Sequence, residues 1–290
     1  MNGLQKYFST CLLATAALLG GTSPAWAQGP VDAASGFSVL GATVTCTTSV
    51  IAGDVGISPA TAFTNTGCTI AGGMPPATNE AAVEARADFL SAYDAARNTA
   101  CTALLPSTIT GPMTLYPGVY CTDAALTGAG VLTLDGQGDA NAVWIFNIGT
   151  LATGALTGTN FTVVMAGGGQ PCNVIWAPSA GVTMTTSVFQ GNILAGNAID
   201  GSITLTGGSL AGSAMANVAV TMTDTSVIGC DVLSGTKSCK GKKHHGHKHG
   251  HKKCNQGVGN GTEGCDPGNS NHKHGSNDED GGKPGNPGRK

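Results

Sequence analysis

Six threonines in three short segments carry the most regular chemistry in this sequence. They form Thr-x-Thr pairs in GVTMT, SITLT and AVTMT: Thr183 and Thr185, Thr204 and Thr206, Thr221 and Thr223. Side chains alternate along a strand, so Val182, Met184, Ile203, Leu205, Val220 and Met222 point inward and the threonines outward. Along a strand, residues i and i+2 lie about 6.7 Å apart, and neighbouring strands about 4.8 Å apart. A rigid grid at those spacings can hold ordered water, the hydroxyls anchoring it while the methyls discourage competing hydrogen bonds. Threonine also suits any exposed strand face, so the pairs alone do not name a ligand. Thr150, in an earlier and more ragged coil, joins the candidate set, and TGTN at 157–160 is placed on a neighbouring wall.

Other residues that could do chemistry have simpler explanations. The imidazoles of His244, His245, His247, His249 and His251 are weak candidates for Zn²⁺, Cu²⁺ or Ni²⁺. A solvated basic tail that gains charge below about pH 6.5 accounts for them equally well. Asp135, Asp139, Asp200 and Asp224 raise the possibility of acid–base cleavage of a polysaccharide. They sit in glycine-rich turns such as LDGQGDAN, where aspartate is a common turn former. The same explanation covers Asp135 and Asp139 without calcium. No lysine or histidine lies between Lys6 and Lys237 to serve as a base, and no Gly-x-Ser-x-Gly elbow occurs. The chain is read as a non-enzyme with no cofactor and no metal site in its folded part.

The elements that must position the threonines repeat. Segments 173–190, 191–211 and 212–229 align, each with a short apolar run, a threonine-flanked strand and a third run. The strand centres Met184, Leu205 and Met222 are 21 and 17 residues apart. A ragged earlier coil, 142–155, fits the same scheme. Repeats near this length, rich in glycine turns and period-2 alternation, indicate a β-solenoid. The fold class is mainly β: a right-handed three-sided β-solenoid, or β-helix, with one long α-helix packed alongside. FSVLGATVTC and TSVIAGDVGIS read as strands, GDVGISP at 53–59 as a corner, and 60–77 as a loop. Residues 79–104 are alanine-rich and free of glycine and proline, and Pro106 cannot continue a helix. Thr78 or Asn79 can cap it. Ala82, Phe89, Tyr93, Ala96 and Ala100 share one arc, with Val83 and Leu90 beside it, and that stripe must pack on something flat. The small residues Ala195, Gly196, Ala214 and Ala216 mark the wall it covers. Some 25 residues reach about 37 Å and about six coils stack to about 29 Å, so the helix can run the whole stack.

Composition sets the compartment and excludes some partners. Lys6, an apolar stretch at 8–21 and AWA at 25–27 form a signal peptide, 1–27, cleaved after Ala27. No other segment is long and apolar enough to span a membrane. The folded domain, 28–236, holds twelve carboxylates against Arg86 and Arg97, a formal charge near −10. It therefore offers no basic surface for nucleic acid. Nine cysteines beyond the signal peptide suit an oxidising compartment. Cys46 with Cys68, Cys101 with Cys121, Cys172 with Cys230 and Cys254 with Cys265 are one possible pairing, leaving Cys239 over; spacing alone does not fix it. Residues 237–290, rich in His and Lys and then in Gly, Asn and Pro, are expected to be disordered. The protein is expected to be a secreted monomer, with cell-surface association left open.

FSVLGATVT, GDVGISP, the single alanine-rich helix, LYPGVYC, AVWIFNI, NVIW, GNILAGNAI and the closing AVTM occur in that order over residues 36–229. In this the chain resembles the secreted ice-binding proteins of bacteria, fungi and algae. The resemblance implies a three-sided solenoid with one long helix alongside. It also implies coils stacked out of sequence order, the N-terminal strands sitting among the C-terminal ones. It further implies adsorption to an ice crystal surface through one flat face, for which the candidates are Thr150, Thr183, Thr185, Thr204, Thr206, Thr221 and Thr223. The segment before the helix is short for the family, and the histidine-rich tail is not part of the family domain. The alternative is an extracellular adhesion solenoid whose low-charge face binds a cell-surface glycan or protein.

Overall fold

Strands joined by short turns make up most of the described residues in the computed structural model, which describes residues 33–72 and 80–233. Val, Ile, Thr and aromatic residues alternate with polar ones along the strands, and inward apolar side chains form the core. All strand pairs are parallel, and together they make three walls around that core. The first wall stacks Ala103–Leu104, Gly118–Thr122, Trp144–Ile148, Val174–Pro178, Asn192–Ala195 and Ala214–Ala216, then 37–41 and 54–57. The second stacks Thr108–Ile109, Leu126–Gly128, Leu156–Thr159, 182–185, 203–206 and Ala219–Thr223, then 43–47 and 62–66. The third runs from Met113–Leu115 through Val131–Asp135 and Thr162–Ala166 to Ser226–Ile228, Val50–Ala52 and Thr69–Ile70. The result is a β-solenoid of eight coils, right-handed as parallel crossovers are.

The stacking order breaks with the sequence order. The last coil in sequence, 214–228, pairs with the first, 37–52, and residues 54–70 close that end of the stack. The N-terminal coils therefore extend the stack beyond the C-terminal coil instead of lying among its coils. GDVGISP opens on a turn, Gly53, at φ 118°, but the rest of it is not a corner. Residues 54–59 belong to the strand Asp54–Thr66, and a further strand, Thr69–Ile70, follows where a loop was expected.

The helix spans Glu80–Arg97, shorter than the 79–104 stretch that composition suggests, because Ala103–Leu104 joins the first wall. The proposed caps, Thr78 and Asn79, lie outside the described residues. Eighteen residues reach about 27 Å, enough to cross six of the eight coils at about 4.8 Å each. The helix meets the first wall through Ala82, Ala85, Phe89, Ala92 and Ala96, which pack on Leu40, Ile145, Ile175, Leu194 and Met215. Tyr93 is half-buried, Val83 is exposed, and Ala100 lies beyond the helix and is exposed. Ala195, Ala214 and Ala216 are on the covered wall, but their side chains point into the solenoid core. The outward partners are the larger residues between them. Gly196 does face the helix: a Cβ there would lie 2.2 Å from Cδ1 of Tyr93.

Inside the first wall, Tyr120, Phe146 and Trp176 occupy successive rungs, with ring centroids 5.6 and 3.8 Å apart. Among the described residues three disulfides fix the stack: Cys46–Cys68 joins the two closing coils, Cys101–Cys121 ties the helix exit to the first wall, and Cys172–Cys230 ties the segment after the last coil to the turn that precedes Val174, two coils back. Residues 1–27, Cys239, Cys254, Cys265 and the whole tail from 237 lie outside the described residues.

Candidate functional site

The second wall brings the three threonine pairs together and continues them in both directions. Thr183 pairs with Thr204, and Thr204 with Thr221, in exact strand register. From Thr221 the column passes to Thr45 and Thr64. From Thr183 it passes to Thr157, Thr127 and Thr108. One unbroken column of threonine thus crosses all eight coils, about 34 Å at strand spacing. A second column, two residues on, runs Thr159, Thr185, Thr206, Thr223, Thr47 and Thr66. Between the columns Met184, Leu205, Met222 and Cys46 point inward and are buried.

Two features shape this wall. On the coils 126–128 and 156–159 the inward position is glycine, because the corner residue Phe161 already fills the core there. A Cβ on Gly128 would lie 2.5 Å from the Phe161 ring, and one on Gly158 would lie 2.4 Å from the Met184 sulfur. Six of the eight coils then leave the wall through a residue with left-handed backbone: Asn160, Thr186, Gly207, Asp224, Thr48 and Gly67, at φ between 46° and 76°. Four of these six are not glycine, and their side chains hold one another. The Thr186 hydroxyl donates to Asn160 Oδ1 at 2.5 Å, and the Thr48 hydroxyl donates to Asp224. Such pairs offset part of the cost of a left-handed non-glycine residue.

The opposite border of the wall is held by the helix. Arg86, Tyr93 and Arg97, at i, i+7 and i+11, form one stripe along it. Arg97 donates to the carbonyls of Ile148, Gly149 and Ala177 at 2.9, 2.7 and 3.2 Å. The Tyr93 hydroxyl donates to Pro178 O at 3.1 Å, and Arg86 donates to Asn217. Burial pulls the Arg86 guanidinium below its usual value and pushes the Tyr93 phenol above its own. Both arginines of the folded domain are thus engaged with carbonyls at the seam. No charged residue occupies either threonine column, so the two columns present only methyls and hydroxyls.

Of the sequence candidates, Thr183, Thr185, Thr204, Thr206, Thr221 and Thr223 share this wall. Thr150 does not. It lies in the turn leaving the first wall, with its hydroxyl donating to Thr122 O at 3.2 Å. TGTN at 157–160 belongs to the threonine wall itself, not to a neighbouring one. The threonines missed in sequence had visible signals: TVTCT at 43–47, FTNT at 63–66 and LTGT at 156–159 all alternate. Gly158 hid one of them by replacing the apolar inward residue, and the broken stacking order hid the others. Asp135 and Asp139 make turn bonds, accepting from the backbone of Gln137 and Asn141 at 2.9 and 2.8 Å. Among the described residues, no group of His, Cys, Asp or Glu is arranged to hold a metal. No described helix is long and apolar enough to cross a membrane. The histidine run lies outside the described residues.

Known proteins share this architecture. The pattern that defines the ice-binding-like family matches residues 38–228. An ice-binding protein of Nostoc sp. is 36% identical over 178 residues, covering 60% of this chain and 63% of that protein. The chain thus spans less than two thirds of that relative's length. The crystal structure of an ice-binding protein from the Antarctic ascomycete Antarctomyces psychrotrophicus superposes with a TM-score of 0.61 at 29% identity, covering 68% of this chain and 96% of that one. One from an Antarctic Flavobacteriaceae bacterium gives 0.61 at 33% identity, covering 69% and 47%.

Proposed function

The chain belongs to the ice-binding-like family, and on that premise we propose that it adsorbs to ice through the threonine wall. The observation that carries this reading is the threonine column that crosses all eight coils without a gap. Each threonine contributes one weak contact, and a flat rigid wall lets all of them act at once. Waters held by hydroxyls about 4.8 Å apart along the stack and about 6.7 Å apart along the strands form a patch that merges with the crystal. Rigidity matters because no ordering entropy is then lost on adsorption.

The working set is Thr45, Thr47, Thr64, Thr66, Thr108, Thr127, Thr157, Thr159, Thr183, Thr185, Thr204, Thr206, Thr221 and Thr223, with Thr150 left out. Adsorption stops ice growth or recrystallisation and needs no bond making or breaking, so the protein acts as a binder and not as an enzyme. We place it outside the cell as a monomer, in keeping with the three disulfides among its described residues. The glycan alternative finds no aromatic or carboxylate in the two columns to recommend it. The test is an ice-recrystallisation assay on purified 28–236. Fine grains should persist during annealing; grains that coarsen as fast as in buffer would refute the reading.

A further inference from the structure

The third wall is covered by nothing in the described chain, and it too is regular. Its outward column runs Val131, Thr162, Val188, Ser209, Ser226 and Val50 in paired register. Every member is β-branched or serine, and none is charged. The described strands expose six large apolar side chains, and five of them are on this wall: Val50 at 50%, Val131 at 41%, Val164 at 40%, Val188 at 42% and Ile228 at 38%. The sixth, Leu104, lies at the end of the stack. A face built this way is either an unprotected liability or a contact surface.

The wall is continuous with the threonine wall. Strands Val182–Gln190 and Ile203–Ala211 cross from one to the other, turning at Thr186 and Gly207. The two faces therefore share one rung spacing and meet along one edge. A second copy of the chain is a poor occupant. Eight strands of two to five residues give about 34 Å by about 12 Å, about half of the roughly 800 Å² per partner that stable complexes bury. The repetition also offers a folded partner no unique register, because each rung resembles the next. A crystal lattice is itself periodic and needs none.

We propose that the third wall is a second ice-contacting face, so that the molecule engages two differently oriented planes of one crystal. This rests on the ice-binding reading of the threonine wall. The direct test labels the protein with a fluorophore and lets a single ice crystal grow in it, so that the planes that take up label are seen. Ser209→Tyr, at the middle rung, should erase one set of labelled planes and keep the other. Thr204→Tyr should do the reverse, and the double variant should label nothing. Both sites lie on accessible strand faces where tyrosine is well tolerated, and a thermal melt checks folding. Should Ser209→Tyr fold poorly, Val188→Lys on the adjacent rung replaces it. A wild-type pattern from the folded third-wall variant, with Thr204→Tyr unlabelled, would overturn the proposal while leaving the threonine wall standing. An unlabelled wild type would overturn both.

Discussion

Tyr93 shows how one side chain secures the helix at the border of the threonine wall. Its hydroxyl reaches Pro178 O at 3.1 Å, and its ring lies against Gly196. Tyr93→Phe should keep the packing and lose one hydrogen bond, a cost of about 1 kcal/mol in a denaturant melt. Burial raises the Tyr93 phenol above its ordinary value of 10.0; Arg97 opposes the shift and Asp94 adds to it. The fold thus favours the neutral phenol. That contribution is complete below pH 10.0 and is lost as pH rises through the raised value. Wild type should lose stability in that alkaline window and Tyr93→Phe should lose less. Burial also raises Tyr120, so some alkaline loss should remain in the variant; equal losses in the two proteins would contradict the account. The threonines were legible only where coils follow one another in sequence. Thr183, Thr204 and Thr221 recur at repeat spacing, whereas Thr45 and Thr64 reach the column through pairing across the whole chain. Thr150 looked equivalent because a threonine after an apolar strand carries no mark of which wall it joins.

The helix and the disulfides are the elements that hold the walls in place. Composition located the helix because eighteen residues without glycine or proline fold locally, and it overran the end because Ala103 and Leu104 suit a helix equally well. Pairing with Tyr120 and Cys121 decides their state, and local propensity cannot show that. At the contact between helix and wall, Gly196→Ala forces Tyr93 aside. The expected cost is about 1–3 kcal/mol, the range for an overpacked site, read as a lower melting temperature. An unchanged melt would show that the helix rides free of this coil. The Cys46–Cys68 bond closes 22 residues at the discontinuous end of the stack. Replacing both cysteines by serine should cost about 3 kcal/mol by loop-closure entropy. The two closing coils should then open first in hydrogen exchange, because beyond residues 54–70 no described strand pairs with them.

At the scale of the whole molecule, three walls and one helix divide the tasks. The helix closes one wall and leaves the threonine wall, with no charge in its two columns, open. The class of fold was readable because a solenoid writes its period into the sequence. The stacking order was not, since parallel coils of equal width can be joined in several orders at similar local cost. It came with the family resemblance, and even then the N-terminal coils proved to extend the stack rather than enter it. Removing residues 237–290 should leave both the thermal melt and the ice activity nearly unchanged, since the three walls are complete within 33–233; a loss of cooperativity on truncation would contradict this. The central claim is that flat adsorption occurs on the threonine wall. It is tested most directly by thermal hysteresis of Thr204→Tyr beside Ser91→Tyr, which places the same bulk on the exposed face of the helix. Both should fold with stability within about 0.5 kcal/mol of wild type, as surface substitutions usually do. Thr204→Tyr should lose most of the hysteresis, because one tyrosine lifts its neighbours off the crystal, and Ser91→Tyr should keep all of it. Wild-type hysteresis from a correctly folded Thr204→Tyr protein would contradict the account.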